Sequence, residues 1–138
     1  MDSTIPKIKL EHTDVRGEIY SIALPDNREL MLLFSKAGAL RGGHSHDCDE
    51  VVMLLTGKMR YHKVDQAGDP SYDIMTPECA AWEHGYRVKS LSLNPAGEVH
   101  MGEFLEDSWV LEWKFAEKGK WTQTDYEPMR EKVRASQR

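Results

Sequence analysis

A chain of 138 residues, 40% hydrophobic and 30% charged, can build one folded core but is too short for two ordinary domains. Its formal net charge is -5, and Lys and Arg are scattered except near the C-terminus, so there is no basic footprint for nucleic acid. No apolar run approaches the roughly 20 residues of a membrane span, and the N-terminal stretch has no leader pattern, so the expectation is a cytoplasmic protein without a membrane partner.

Short apolar segments alternate with turn signals along the chain, which predicts an all-β fold. In chain order the expected strands are Glu18–Ala23, Leu30–Ser35, Glu50–Leu55, Lys58–Val64, Tyr72–Met75, Tyr86–Leu93, Val99–Leu105 and Trp109–Phe115. Turn chemistry separates them, at Pro25-Asp26-Asn27, Gly42-Gly43, Thr56-Gly57, Gly68-Asp69-Pro70, Asn94-Pro95-Ala96-Gly97 and Glu106-Asp107. Leu30 to Phe34 is continuously apolar, as in a strand covered on both faces. Trp109, Leu111, Trp113 and Phe115 alternate with Val110, Glu112 and Lys114, and the aromatic side is expected to face the core. From Asp125 to Arg138 the chain is charged and free of Gly. It reads as a solvated tail or as a short helix opening at Asp125, with Glu127 and Pro128 in its first turn and Lys132, Arg134 and Arg138 at its basic end. Cys48 and Cys79 are too few for a disulfide framework and read as reduced thiols.

The chemistry concentrates between Gly38 and Gly57. His44 and His46 are two apart, so on an extended chain their rings leave the same face, with Cα atoms about 6–7 Å apart. Glu50 shares their parity but would lie about 13 Å from His46 on one straight strand. The polar break Asp47-Cys48-Asp49 permits a turn that brings the Glu50 carboxylate back beneath the rings. Two imidazoles and a carboxylate suit a divalent transition metal: Fe, Mn, Zn, Ni or Co, with affinity order alone favouring Cu and Zn over Fe and Mn.

The full pattern is Gly38, five residues, His44-x-His46, three residues, Glu50, six residues, Gly57. It resembles the first motif of the cupin superfamily at each fixed position. The resemblance implies a double-stranded β-helix, the cupin jelly-roll barrel, over about residues 14–116, with 117–138 as an extension holding the short helix or tail. It also implies a further histidine from a second motif of the form Pro-x-Gly, two residues, His, three residues, Asn. His84 stands at matching spacing, with Cys79, Ala81 and Val88 in place of the Pro, Gly and Asn. The implied ligand set is His44, His46, Glu50 and His84, with His62 or His100 as substitutes. Asp47, Asp49 and Tyr61 are eligible to orient the ligands. Arg41, Arg60, Tyr61 and Arg87, and also Glu83, are candidates to contact an anionic or hydroxylated substrate.

A second resemblance is to cupin-fold nucleotide-sugar epimerases and ketoisomerases, through Asp14-Val15-Arg16-Gly17 and Arg41-Gly42-Gly43-His44-Ser45-His46. It implies His44 and His46 as general acid and base without a metal. Glu50 argues for the metal-bearing alternative. Three functions therefore remain open: a metal-dependent enzyme acting on a small oxygenated molecule, a metal-free sugar-nucleotide enzyme, and a non-catalytic ligand- or metal-binding cupin. A homodimer is expected in each case, because pairing the N-terminal strand with a second chain would cover a sheet edge.

Overall fold

A computed structural model describes residues 7–64, 68–78 and 90–137. Among the described residues, eleven strands and one helix follow in the order β1 (Lys7–Asp14), β2 (Gly17–Ala23), β3 (Glu29–Ser35), β4 (Leu40–His46), β5 (Glu50–Thr56), β6 (Met59–Val64), β7 (Pro70–Met75), β8 (Leu91–Asn94), β9 (Val99–Phe104), β10 (Ser108–Lys114), β11 (Gln123–Asp125) and α1 (Glu127–Ser136). They form two antiparallel sheets, ordered β1-β2-β3-β10-β5-β8 and β11-β4-β9-β6-β7. No helix of the described residues is long and apolar enough to cross a membrane.

The two sheets enclose one apolar core. The first contributes Leu33, Val52, Leu54 and Val110, and the second Met59, Tyr61, Met75 and Phe104. Each of these alternates with outward neighbours, as a pleated strand requires. Pro70 opens β7, an edge strand, where its missing N–H costs no ladder bond.

Strand β10 corrects the expected facing of the aromatic stripe. Val110 belongs to the core, and Glu112 lines the interior cavity. Lys114 reaches the buried Glu50, so Val110, Glu112 and Lys114 form the inward face. Trp109 instead packs outside, against Phe34 at 5.1 Å and Tyr20 at 6.3 Å between ring centroids, and Phe115 is exposed. The outer rows of this sheet are apolar too: Leu10, Tyr20, Leu32, Leu111, Met53 and Leu91 stand opposite one another in register. Apolar character therefore marks both faces, and alternation alone could not say which was inside.

The C-terminal segment is ordered rather than frayed. The helix starts at Glu127 with Tyr126 as its N-cap residue, two residues later than the expected Asp125, which ends β11. Met129 and Val133 bury against Met101 on the outer face of β9, together with Leu40, Val64 and Val99.

Candidate metal centre

Strand β4 carries two of the three clustered histidines, and a two-glycine bulge sets where they point. Arg41 pairs with Gly102 and Gly42 with Met101, but the next partner of His100 is His44, which leaves Gly43 as an extra residue. Without it, His44 and His46 would share the outward parity of Gly42. Both glycines adopt positive φ, 102° at Gly42 and 83° at Gly43. A Cβ at Gly42 would lie 2.8 Å from the His100 carbonyl oxygen, so only glycine fits.

After His46 the chain bends through 47–49 and crosses to the other sheet, where Glu50 opens β5. Glu50 is 1% exposed, with Oε2 at 3.7 Å from His46 Nδ1 and Oε1 at 3.3 Å from His100 Nε2. The rings of His44, His46 and His100 lie 4.6–5.2 Å apart by centroid. One nitrogen from each falls within 4.8 Å of the others. Among the described residues this is the one three-membered group able to hold a metal ion.

Several atoms there fit a cation. His44 Nδ1 and His46 Nδ1 are buried without a hydrogen-bond partner, and Glu50 Oε2 is met by the Lys114 ammonium at 3.1 Å. His100 Nδ1 lies 3.2 Å from the Glu98 carbonyl, which only accepts, so the proton sits on Nδ1 and Nε2 carries the lone pair. That lone pair faces Glu50 Oε1, and two acceptors at 3.3 Å leave a gap that a cation would fill. Burial, with the neighbouring imidazoles, pushes His44 down to about 3. Burial likewise pushes His46 down to about 4, against the opposing pull of Glu50. Neutral rings with free lone pairs are what metal ligation requires. Burial alone would raise the Glu50 carboxyl, but Lys114, His100 and His46 outweigh it and hold it below its ordinary value.

The remaining candidates sort by strand parity. Tyr61 faces inward, and its hydroxyl accepts a 2.7 Å bond from Asn94 Nδ2, which also donates to Glu50 Oε1 at 3.2 Å. Arg41 faces inward and lines a cavity of about 440 Å³ with His44, His100, Tyr61 and Glu112. Arg60 and His62 do not reach this cavity. Both contact Glu103 Oε1, at 2.9 and 3.0 Å, on the side of their sheet away from the core. Asp47 accepts from Thr122, and Asp49 from the Ala96 amide, so both anchor loops rather than histidine rings. Asp14 caps its own turn through the Arg16 amide and guanidinium. Cys48 is a free, half-buried thiol. His84, Glu83, Arg87 and Cys79 lie outside the described residues.

His100 was signalled in the sequence. Pro95-Ala96-Gly97-Glu98-Val99-His100 has the form Pro-x-Gly, two residues, His, with Phe104 where the motif has Asn. Read only as a turn between strands, that turn also donates Gly97 N to the His46 carbonyl at 2.8 Å, tying the two ligand-bearing segments together.

No known family's sequence profile matches this chain, and no curated protein matches it in sequence. Solved structures do. The capsular polysaccharide assembling protein CapF from Staphylococcus aureus superposes with a TM-score of 0.66 at 18% identity, over 87% of this chain and 32% of that one. A deletion mutant of Bacillus subtilis oxalate decarboxylase gives 0.62 at 20% identity, over 87% and 30%. The 7S globulin of Momordica charantia gives 0.64 at 12% identity, over 84% and 34%. The chain thus spans about a third of the length of each structure it matches. At these identities the likeness concerns architecture, and the architecture is a cupin-like jelly roll.

Proposed function

We propose that this chain is a metal-dependent cupin enzyme. It holds one divalent transition metal on His44, His46, His100 and Glu50, and acts on a small oxygenated molecule in the adjoining cavity. The observation that carries the reading is the convergence of buried, neutral imidazole lone pairs and one carboxylate on a single gap. The fold is shared alike with oxalate decarboxylase, an enzyme by its name, and with 7S globulin, so the case for catalysis rests on the site and its adjoining cavity. Bound in this gap, a divalent ion would supply Lewis acidity or redox chemistry at a position open to the cavity. The protein's own groups do the rest. Asn94 fixes both the Glu50 carboxylate and the Tyr61 hydroxyl, and Glu98 fixes the His100 tautomer.

The test is elemental analysis of untagged protein reconstituted with manganese, ferrous iron or zinc. About one metal per chain is expected, with affinity lowered more than about tenfold in His44→Ala and His100→Ala. His84→Ala, at the position the motif likeness implies, is the direct comparison. Metal lost in His84→Ala but kept in His100→Ala would move the third imidazole to His84. A wild-type chain that takes up none of the three metals would sink the reading.

A further inference from the structure

Arg41 is a half-buried cation that no carboxylate contacts directly. It extends inward from β4 opposite Gly102, where a Cβ would meet the core side chains Met59 and Phe104. Its Nε donates to Ser35 Oγ at 2.6 Å and its Nη2 to the Phe34 carbonyl at 3.1 Å, two neutral acceptors on the opposite sheet. Among the described residues no carboxylate oxygen lies within 4.0 Å of its guanidinium, and Nη1 has no hydrogen-bond partner. A guanidinium stays charged under all ordinary conditions, and burying a charge without its counter-charge is costly.

The surrounding wall repeats the sign. Arg16, Arg130 and Arg134 line the same cavity, against one acidic side chain, Glu112. Arg16 is already matched by Asp14 at 2.6 Å, and Arg130 is shared between Asp125 and Glu127. Arg41 has no such match. At about 440 Å³ the cavity sits toward the lower end of the range for small-molecule sites.

We propose that the cavity takes a small organic acid whose carboxylate docks on the Arg41 guanidinium while its other end points toward His44 and His100. The second half of this rests on the metal-centre reading, and the Arg41 end does not. The fork of an arginine matches a planar carboxylate, and displacing water from a walled cavity strengthens the pair.

The experiment is calorimetric titration of the full chain, zinc-loaded and zinc-free, with malonate and succinate, and with their uncharged diamides as controls. One dicarboxylate per chain is expected, with the diamides silent. Arg41→Lys keeps the charge and a donor for Ser35, so it preserves the barrel. It should weaken dicarboxylate binding at least about tenfold, with zinc content unchanged. Arg60→Lys, on the far side of the sheet, should bind as wild type. The proposal is overturned if wild type binds neither acid at millimolar concentration, if the diamides bind equally, if inorganic phosphate binds and the dicarboxylates do not, or if Arg41→Lys matches wild type. Failure to load zinc, manganese or ferrous iron sinks the metal-centre reading alone, because titration of the metal-free chain still decides the Arg41 end.

Discussion

Lys114 Nζ lies 3.1 Å from Glu50 Oε2 and 4.2 Å from the centre of the Trp121 ring. Its ammonium provides the positive charge at Glu50 that a divalent ion would otherwise bring. On the proposed metal-centre reading, the two cations would compete for one carboxylate. Replacing Lys114 by Met should lower the stability of the metal-free protein by about 3 kcal/mol, since it leaves a buried carboxylate without its partner. The same change should enlarge the stabilisation on adding metal, because the competitor is gone. Thermal melts with and without metal read both quantities, and a smaller metal-induced rise in the variant would show that Lys114 assists binding. Much of this chemistry was legible residue by residue. The spacing of His44, His46 and Glu50 is local, and a turn at 47–49 suffices to close it. The third histidine was harder, because two segments each carry part of one motif: His84 keeps only the spacing, whereas His100 keeps the Pro and Gly as well. Lys114 was invisible, since nothing local says that a lysine beside Trp113 turns inward.

Strand β4 shows where element-level reading fails. Leu40–His46 has no apolar alternation to announce a strand, and no propensity rule places its bulge. The strand is held from outside by the C-terminal segment. Strand β11 pairs with it across His44, Ser45 and His46, and the Tyr126 amide donates to the Gly43 carbonyl at 2.7 Å. Arg130 Nε donates to the Gly42 carbonyl at 2.8 Å. A Cβ on Gly43 would come within 2.5 Å of the Arg130 side chain. Gly43→Ala should therefore cost about 2 kcal/mol from positive φ and the displaced arginine, and should weaken metal binding by rotating His44 away. Arg130→Met, which keeps the packing but loses the bond, should cost about 1 kcal/mol in denaturant unfolding. Equal metal affinity in wild type and Gly43→Ala would mean that the bulge does not set the ligand geometry. By contrast, the separation of Arg60 from Tyr61 was readable from β6 itself. Neighbours on a strand face opposite ways, so the two could never share one cavity.

Across the molecule, the interior is more polar than an all-β sequence suggests. Glu50, Glu112, Arg41, Lys114 and three histidines occupy space that an ordinary sandwich would fill with aliphatic side chains. That explains why the aromatic stripe of β10 lies outside, and why the two-sheet architecture was legible while the contents of its cavity were not. It also sets a pH dependence. Glu112 is raised by burial and by Glu50 from 4.5 to about 7 in the folded, metal-free chain. The native state therefore holds that proton more tightly than the unfolded chain does. Its contribution to stability is complete below about 4.5 and is lost as pH rises toward 7. Glu112→Gln should remove this component, so the variant gains on wild type between those values and stays ahead above them. Urea unfolding across the range measures it, and parallel curves for the two proteins would place Glu112 outside the linkage.

The bonds joining Asp47 to Thr122 span 75 residues of sequence. During synthesis, the histidines of β4 leave the ribosome long before the segment that braces them. Until Thr122, Tyr126 and Arg130 arrive, the Gly42–Gly43 carbonyls stay unclaimed and the pocket for the ion is unfinished. On the metal-centre reading proposed above, a nascent chain would collapse into a barrel before it could capture an ion, and loading would be a late, post-translational event.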